Sequence, residues 1–92
     1  MSKYDKIFSR INETPTRSDI KFSEIDFILT QNGFTCTQSS GGSSHFIYTY
    51  SEYGLQLTIV RHGNENCEIK KAYVKATHNA LEELIFRING GE

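Results

Sequence analysis

Tryptophan is missing from this chain, and proline occurs once, at Pro15. With no later proline, nothing in the backbone forbids long hydrogen-bonded elements from residue 16 onward. Cysteine is almost as scarce: Cys36 and Cys67 lack metal-ligand spacing and make a poor disulfide framework. They are expected to be reduced thiols in a cytoplasmic protein, with Cys36 buried. No apolar run approaches the ~20 residues of a membrane span. The start, Met-Ser-Lys-Tyr-Asp-Lys, lacks the apolar stretch and cleavage site of a signal peptide. An excess of either charge is also absent, since 10 basic and 11 acidic residues leave a net charge of −1. A protein that grips nucleic acid by bulk charge is therefore excluded, because phosphate contacts need a basic face.

Charge is scarce locally as well. Residues 33–60 carry one charged side chain, Glu52. Residues 61–75 then hold Arg61, Lys70, Lys71 and Lys75 against Glu65 and Glu68, with His62 beside them. That segment offers a small positive patch or a solvated helix face.

The 92 residues, 37% of them hydrophobic, suit one domain with a modest core. Residues 2–13 predict an amphipathic helix, with Ser2 and Asp5 at capping-box spacing and Tyr4, Ile7, Phe8 and Ile11 on one face. Thr14-Pro15-Thr16 ends it. A second helix is expected over 23–32. Ser23 is its N-cap, Asp26 completes the capping box, Phe22 and Phe27 form a hydrophobic staple, and Asn32-Gly33 stops it.

Period-two alternation then marks three strands, at 34–38, 45–50 and 55–61, with Glu52-Tyr53-Gly54 as a tight turn. Short connections favour an antiparallel meander. After a polar loop at 62–68, a helix from about Ile69 to Ile88 carries Val74, His78, Leu81, Leu84, Ile85 and Ile88 on its apolar side. The fold class is α+β, with the helices on one face of the sheet.

Ser39 to Tyr50 is the stretch that bears on function. A Ser/Gly turn delivers His45 to the mouth of a strand of Phe, Ile, Tyr and Thr. An imidazole there can move protons near neutral pH, with an unperturbed pKa of roughly 6.5. The three histidines are too widely spaced for a metal site, and no phosphate loop or nucleophile elbow is present. Metal-free acid–base chemistry remains. RNA cleavage demands least, because the 2′-hydroxyl is a nucleophile already on the substrate. Non-catalytic readings stay open: a binding module stacking bases on Tyr48, Tyr50 and Tyr53, or a protein-interaction module.

Asn32-Gly33-Phe34, Gly42-Ser43-Ser44-His45-Phe46-Ile47, Arg61-His62-Gly63 and Glu68-Ile69-Lys70-Lys71 occur in that order. Together they resemble the HicA family of toxin mRNA interferases, over roughly Phe22 to Leu84. The resemblance implies a double-stranded-RNA-binding-domain-like core over 22–88, with 2–13 an accessory helix. It implies that His45 is the catalytic residue, that Ser44, Arg61, His62, Lys70 and Lys71 contact mRNA, and that no metal or cofactor is needed. It further implies a HicB-type antitoxin as partner. His78 is expected to be structural.

Overall fold

Ser2 caps the first helix, its side chain accepting the Asp5 backbone N–H at 3.1 Å, and helix α1 runs Lys3–Ile11. In this computed structural model, which describes residues 2–38 and 44–91, Asn12 closes that helix three residues before Pro15. Of the Ser/Gly turn expected at 39–44, residues 39–43 lie outside the described residues. Ile7 and Ile11 enter the common core, and Tyr4 and Phe8 pack against it. A connector follows, pinned by ion pairs of Arg10 with Glu24 and Asp19 and of Arg17 with Glu13 and Asp19. The Arg17 guanidinium holds the Asp19 carboxyl down to about 2.

Helix α2 spans Phe22–Gln31, one residue ahead of expectation, and its cap differs in chemistry. The Glu24 carboxylate, not that of Asp26, reaches back to the N-terminal turn and accepts the Lys21 N–H at 2.9 Å. Ser23 lies inside the helix and donates its backbone N–H to the Glu65 carbonyl at 2.8 Å. Asp26 is engaged elsewhere, accepting the Tyr48 hydroxyl at 2.8 Å. The expected staple is replaced too: Phe22 packs on Phe46, and Phe27 lies under the Lys3 ammonium. At the other end the predicted stop is present. Gly33 has φ +97°, and the Phe34 N–H donates to the Leu29 carbonyl at 3.0 Å.

Strands β1 (Thr35–Gln38), β2 (His45–Tyr50) and β3 (Leu55–Val60) form an antiparallel sheet in the order β1-β2-β3. A short 3-10 turn at Ser51–Tyr53 joins the last two, and Gly54 (φ +67°) completes it. Tyr48 pairs with Leu57 and Phe46 with Ile59, so these four project from one face into the core. Helix α3 (Lys71–Ile88) packs along β3 and α2 near β1, and α1 packs on both helices. The opposite sheet face carries Thr35, Thr37, His45, Ile47, Thr49, Gln56, Thr58 and Val60.

Two burial expectations fail for geometric reasons. Cys36 is exposed, because β1 is a short edge strand whose four residues are all exposed. On α3 the buried stripe is Val74, Thr77, Leu81 and Leu84, while His78 lies on its flank, half-buried. Ile85 and Ile88 are exposed, at 44% and 58%. An 18-residue helix is about 27 Å long and a six-residue strand about 20 Å, so α3 outruns the sheet. Among the described residues, no helix is long and apolar enough to cross a membrane.

Tyr48 is fully buried, and its phenol is pushed up, first by burial and then by the Asp26 carboxylate. A raised pKa means the stabilisation is complete below the ordinary tyrosine value of about 10 and is lost as pH rises beyond it. Tyr48→Phe should cost about 1–2 kcal/mol at neutral pH. It should also shrink the fall in stability between pH 9 and pH 11, measured by urea unfolding at both.

Candidate active site at one end of the sheet

The start of β2, the end of β3 and the beginnings of α2 and α3 meet at one end of the molecule. Backbone pairing brings this about. The Arg61 N–H donates to the Ser44 carbonyl at 2.9 Å, extending the β2–β3 ladder one step past His45 and Val60. The 61–70 loop then crosses the entry to α2. Phe22 N–H donates to the Cys67 carbonyl at 2.9 Å and Ile69 N–H to the Ile20 carbonyl at 2.8 Å. Two N–H groups that a helix start leaves without intrahelical partners, those of Phe22 and Ser23, are thereby satisfied by the loop. The same run sets Lys70 and Lys71 at the first turn of α3, both exposed.

His45 is the first residue of β2, exposed, and on the sheet face that the helices leave uncovered. Val60 is its cross-strand partner, and His62, also exposed, lies two residues further on. Both histidines thus stand at the same end of the sheet. The six residues expected to form the site, Ser44, His45, Arg61, His62, Lys70 and Lys71, are all gathered there. They are not all on one face, however. Alternation along β3 sends Leu57, Ile59 and then Arg61 to the helix side, opposite His45.

Arg61 is the site's most constrained side chain. Its guanidinium carbon lies 4.6 Å from the Phe46 ring centroid and 4.9 Å from that of Phe22. The two rings are themselves 4.8 Å apart and tilted by 52°. Its Nε is buried and has no hydrogen-bond partner among the described residues. A buried donor without a partner costs about 1–3 kcal/mol. Two ring contacts offset part of this, at about 0.5–2 kcal/mol each. Sequence reasoning missed Phe22 and Phe46 as the seat of this arginine. The signal was there, since Leu55, Leu57, Ile59 and Arg61 continue a single alternation.

His78 stands apart from the other two. Its Nδ1 faces the Asn12 amide oxygen and its Nε2 the Glu82 carboxylate, at 2.7 Å, which ties α3 to α1. Tyr48 is excluded from base stacking by complete burial. Tyr50 and Tyr53 are half-buried and stacked on each other, centroids 5.6 Å apart. Among the described residues, no cluster of His, Cys, Asp and Glu could hold a metal ion.

Compared with protein-family models, with curated proteins and with solved structures, the chain gives no match.

Histidine position here predicts histidine effect. His78→Ala removes a link between two helices and should lower unfolding free energy by about 1–2 kcal/mol. His62→Ala, at an exposed loop start, should stay within about 0.5 kcal/mol. Denaturant unfolding of the two variants separates them.

Proposed function

We propose that the chain is a HicA-like toxin with a double-stranded-RNA-binding-domain-like core, cleaving mRNA by metal-independent histidine chemistry. The observation that carries this reading is the exposed position of His45. It opens a strand on the uncovered sheet face, at the end where His62, Arg61, Lys70 and Lys71 collect. The element order from α2 onward, helix, three antiparallel strands, helix, suits such a core.

In this mechanism His45 takes the proton of a ribose 2′-hydroxyl as that oxygen attacks the adjacent phosphorus. The 5′-oxygen departs with a proton, for which His62 stands at the same sheet end. The products are a 2′,3′-cyclic phosphate and a 5′-hydroxyl. Lys70 and Lys71 offer positive charge to the RNA backbone at this end of the sheet, and Ser44 a hydroxyl. A HicB-type antitoxin would neutralise the protein by covering His45.

A second reading, a protein-interaction module, is favoured by one observation. The uncovered sheet face carries no Lys, Arg, Asp or Glu on any of its strands. Such a face suits an uncharged protein surface better than a polyanion.

Induction of the intact chain in bacteria should arrest growth, and His45→Ala should abolish the arrest. In vitro the same substitution should slow RNA cleavage by about 10²–10⁴-fold with little change in thermal unfolding. Cleaved RNA should end in a 2′,3′-cyclic phosphate or its 3′-phosphate product, and EDTA should not inhibit. Arrest by a folded His45→Ala protein would remove His45 from the mechanism. An intact chain that neither cleaves nor binds RNA would leave the interaction module.

A further inference from the structure

The chain has four arginines, and three are neutralised by carboxylates. Arg10 pairs with Glu24 and Asp19, Arg17 with Glu13 and Asp19, and Arg87 with Glu83. Among the described residues Arg61 has no carboxylate partner and its Nε–H no acceptor. Instead, two aromatic rings fix the position of the guanidinium. With Nε–H buried against the rings and the residue as a whole only half-buried, the terminal amino groups of the guanidinium are the donors left for phosphate oxygens.

We infer that Arg61 anchors an RNA backbone phosphate at a nucleotide displaced from the one whose 2′-hydroxyl His45 deprotonates. This rests on the RNA-cleaving reading above and adds a division of labour to it. The displacement follows from the sheet. His45 is paired with Val60 on the uncovered face, whereas Arg61, paired with Ser44, is turned to the helix side. A phosphate at the imidazole is therefore across the sheet from the guanidinium. A strand of RNA rounding this end would present one phosphate to each face. Lys70 and Lys71, at the start of a helix on Arg61's side, continue the cationic track there. Arg61 is thus a positioning residue, and the proton transfers belong to the other face.

The test uses the full-length chain and a single-stranded 2′-O-methyl oligoribonucleotide, which lacks the nucleophile and is bound without being cut. Arg61→Met keeps a long apolar side chain against the rings without the charge. Its affinity should fall about tenfold or more. The slope of log affinity against log salt should become shallower by about 0.7, the share of one phosphate on a single strand. With cleavable RNA, KM should rise while kcat changes less than about threefold. Arg61→Lys should keep the slope yet bind more weakly than the intact chain, because the fork is lost.

A folded Arg61→Met protein with unchanged affinity and slope would overturn the inference. So would a loss of kcat at unchanged KM, which would assign Arg61 to the reacting phosphate. Unchanged RNA binding with lost capture by an inhibitor protein would make Arg61 a carboxylate anchor instead. Should Arg61→Met fail to fold, Arg61→Lys decides, and affinity equal to that of the intact chain overturns the anchor. If the intact chain neither binds the oligonucleotide nor cuts RNA, the functional reading itself falls and the anchor with it. A silent Arg61→Met in a chain that does bind RNA brings down the anchor alone.

Discussion

The contact between Phe22 and Phe46, centroids 4.8 Å apart, is the interaction on which this end of the molecule depends. One ring belongs to the first turn of α2, the other to the second residue of β2. Their packing fixes where the helix layer begins relative to where the strand begins. Arg61 is seated on both rings, and its backbone closes the last rung between β2 and β3. His45 immediately precedes Phe46, so anchoring the phenylalanine inward turns the histidine outward. A buried aromatic pair thus determines the placement of an exposed imidazole. The register of β2 thereby sets the face on which His45 stands.

The sheet divides the chain's chemistry between two faces. The helix side is apolar, with Tyr48 as its one buried hydroxyl on the strands, tied to Asp26. The open side is polar but uncharged, built mainly from threonine. Cationic side chains enter only at the rim, at Arg61, Lys70 and Lys71. A neutral floor with charges at one margin confines the positive potential to that margin, where it acts within a Debye length of roughly 8 Å. The net charge of −1 is compatible with such an arrangement because the positive residues act locally.

Much of the architecture was legible before any coordinates. Period-two alternation found the strands and assigned Phe46 and Tyr48 to one face, and Asn32-Gly33 marked the end of α2. What escaped were features decided by tertiary partners. Asp26 has capping-box spacing from Ser23, but a buried phenol competes for its carboxylate, and Glu24 takes the capping role. Cys36 alternates correctly, yet it lies on a four-residue edge strand that is exposed along its whole length. Ile85 and Ile88 fit the helical stripe, but the stripe continues beyond the last residue that could cover it. For the site, sequence identified the end of the sheet that gathers His45, Arg61 and His62. That Arg61 faces away from His45 was legible too, since Arg61 continues the alternation of Leu55, Leu57 and Ile59 while His45 stands opposite to Phe46. The aromatic seat beneath Arg61 was only partly so, because Phe22 comes from an element far away in sequence.

The backbone bonds joining residues 20–23 to 65–69 have a consequence for how the molecule assembles. Each hairpin of the meander closes a short loop, a step with a small entropic cost. The junction of Ile20 and Phe22 with Ile69 and Cys67 encloses the entire sheet, so its ring is far larger. Local hairpins can therefore form ahead of it, and the bridge between Lys21 and Glu68 marks the point where distant parts of the chain commit to each other. Until that junction closes, the first turn of α2 lacks its carbonyl partners and α3 lacks a fixed starting point. The imidazole-bearing end of the sheet is thus held by backbone bonds between segments far apart in sequence, although its strands pair with their neighbours.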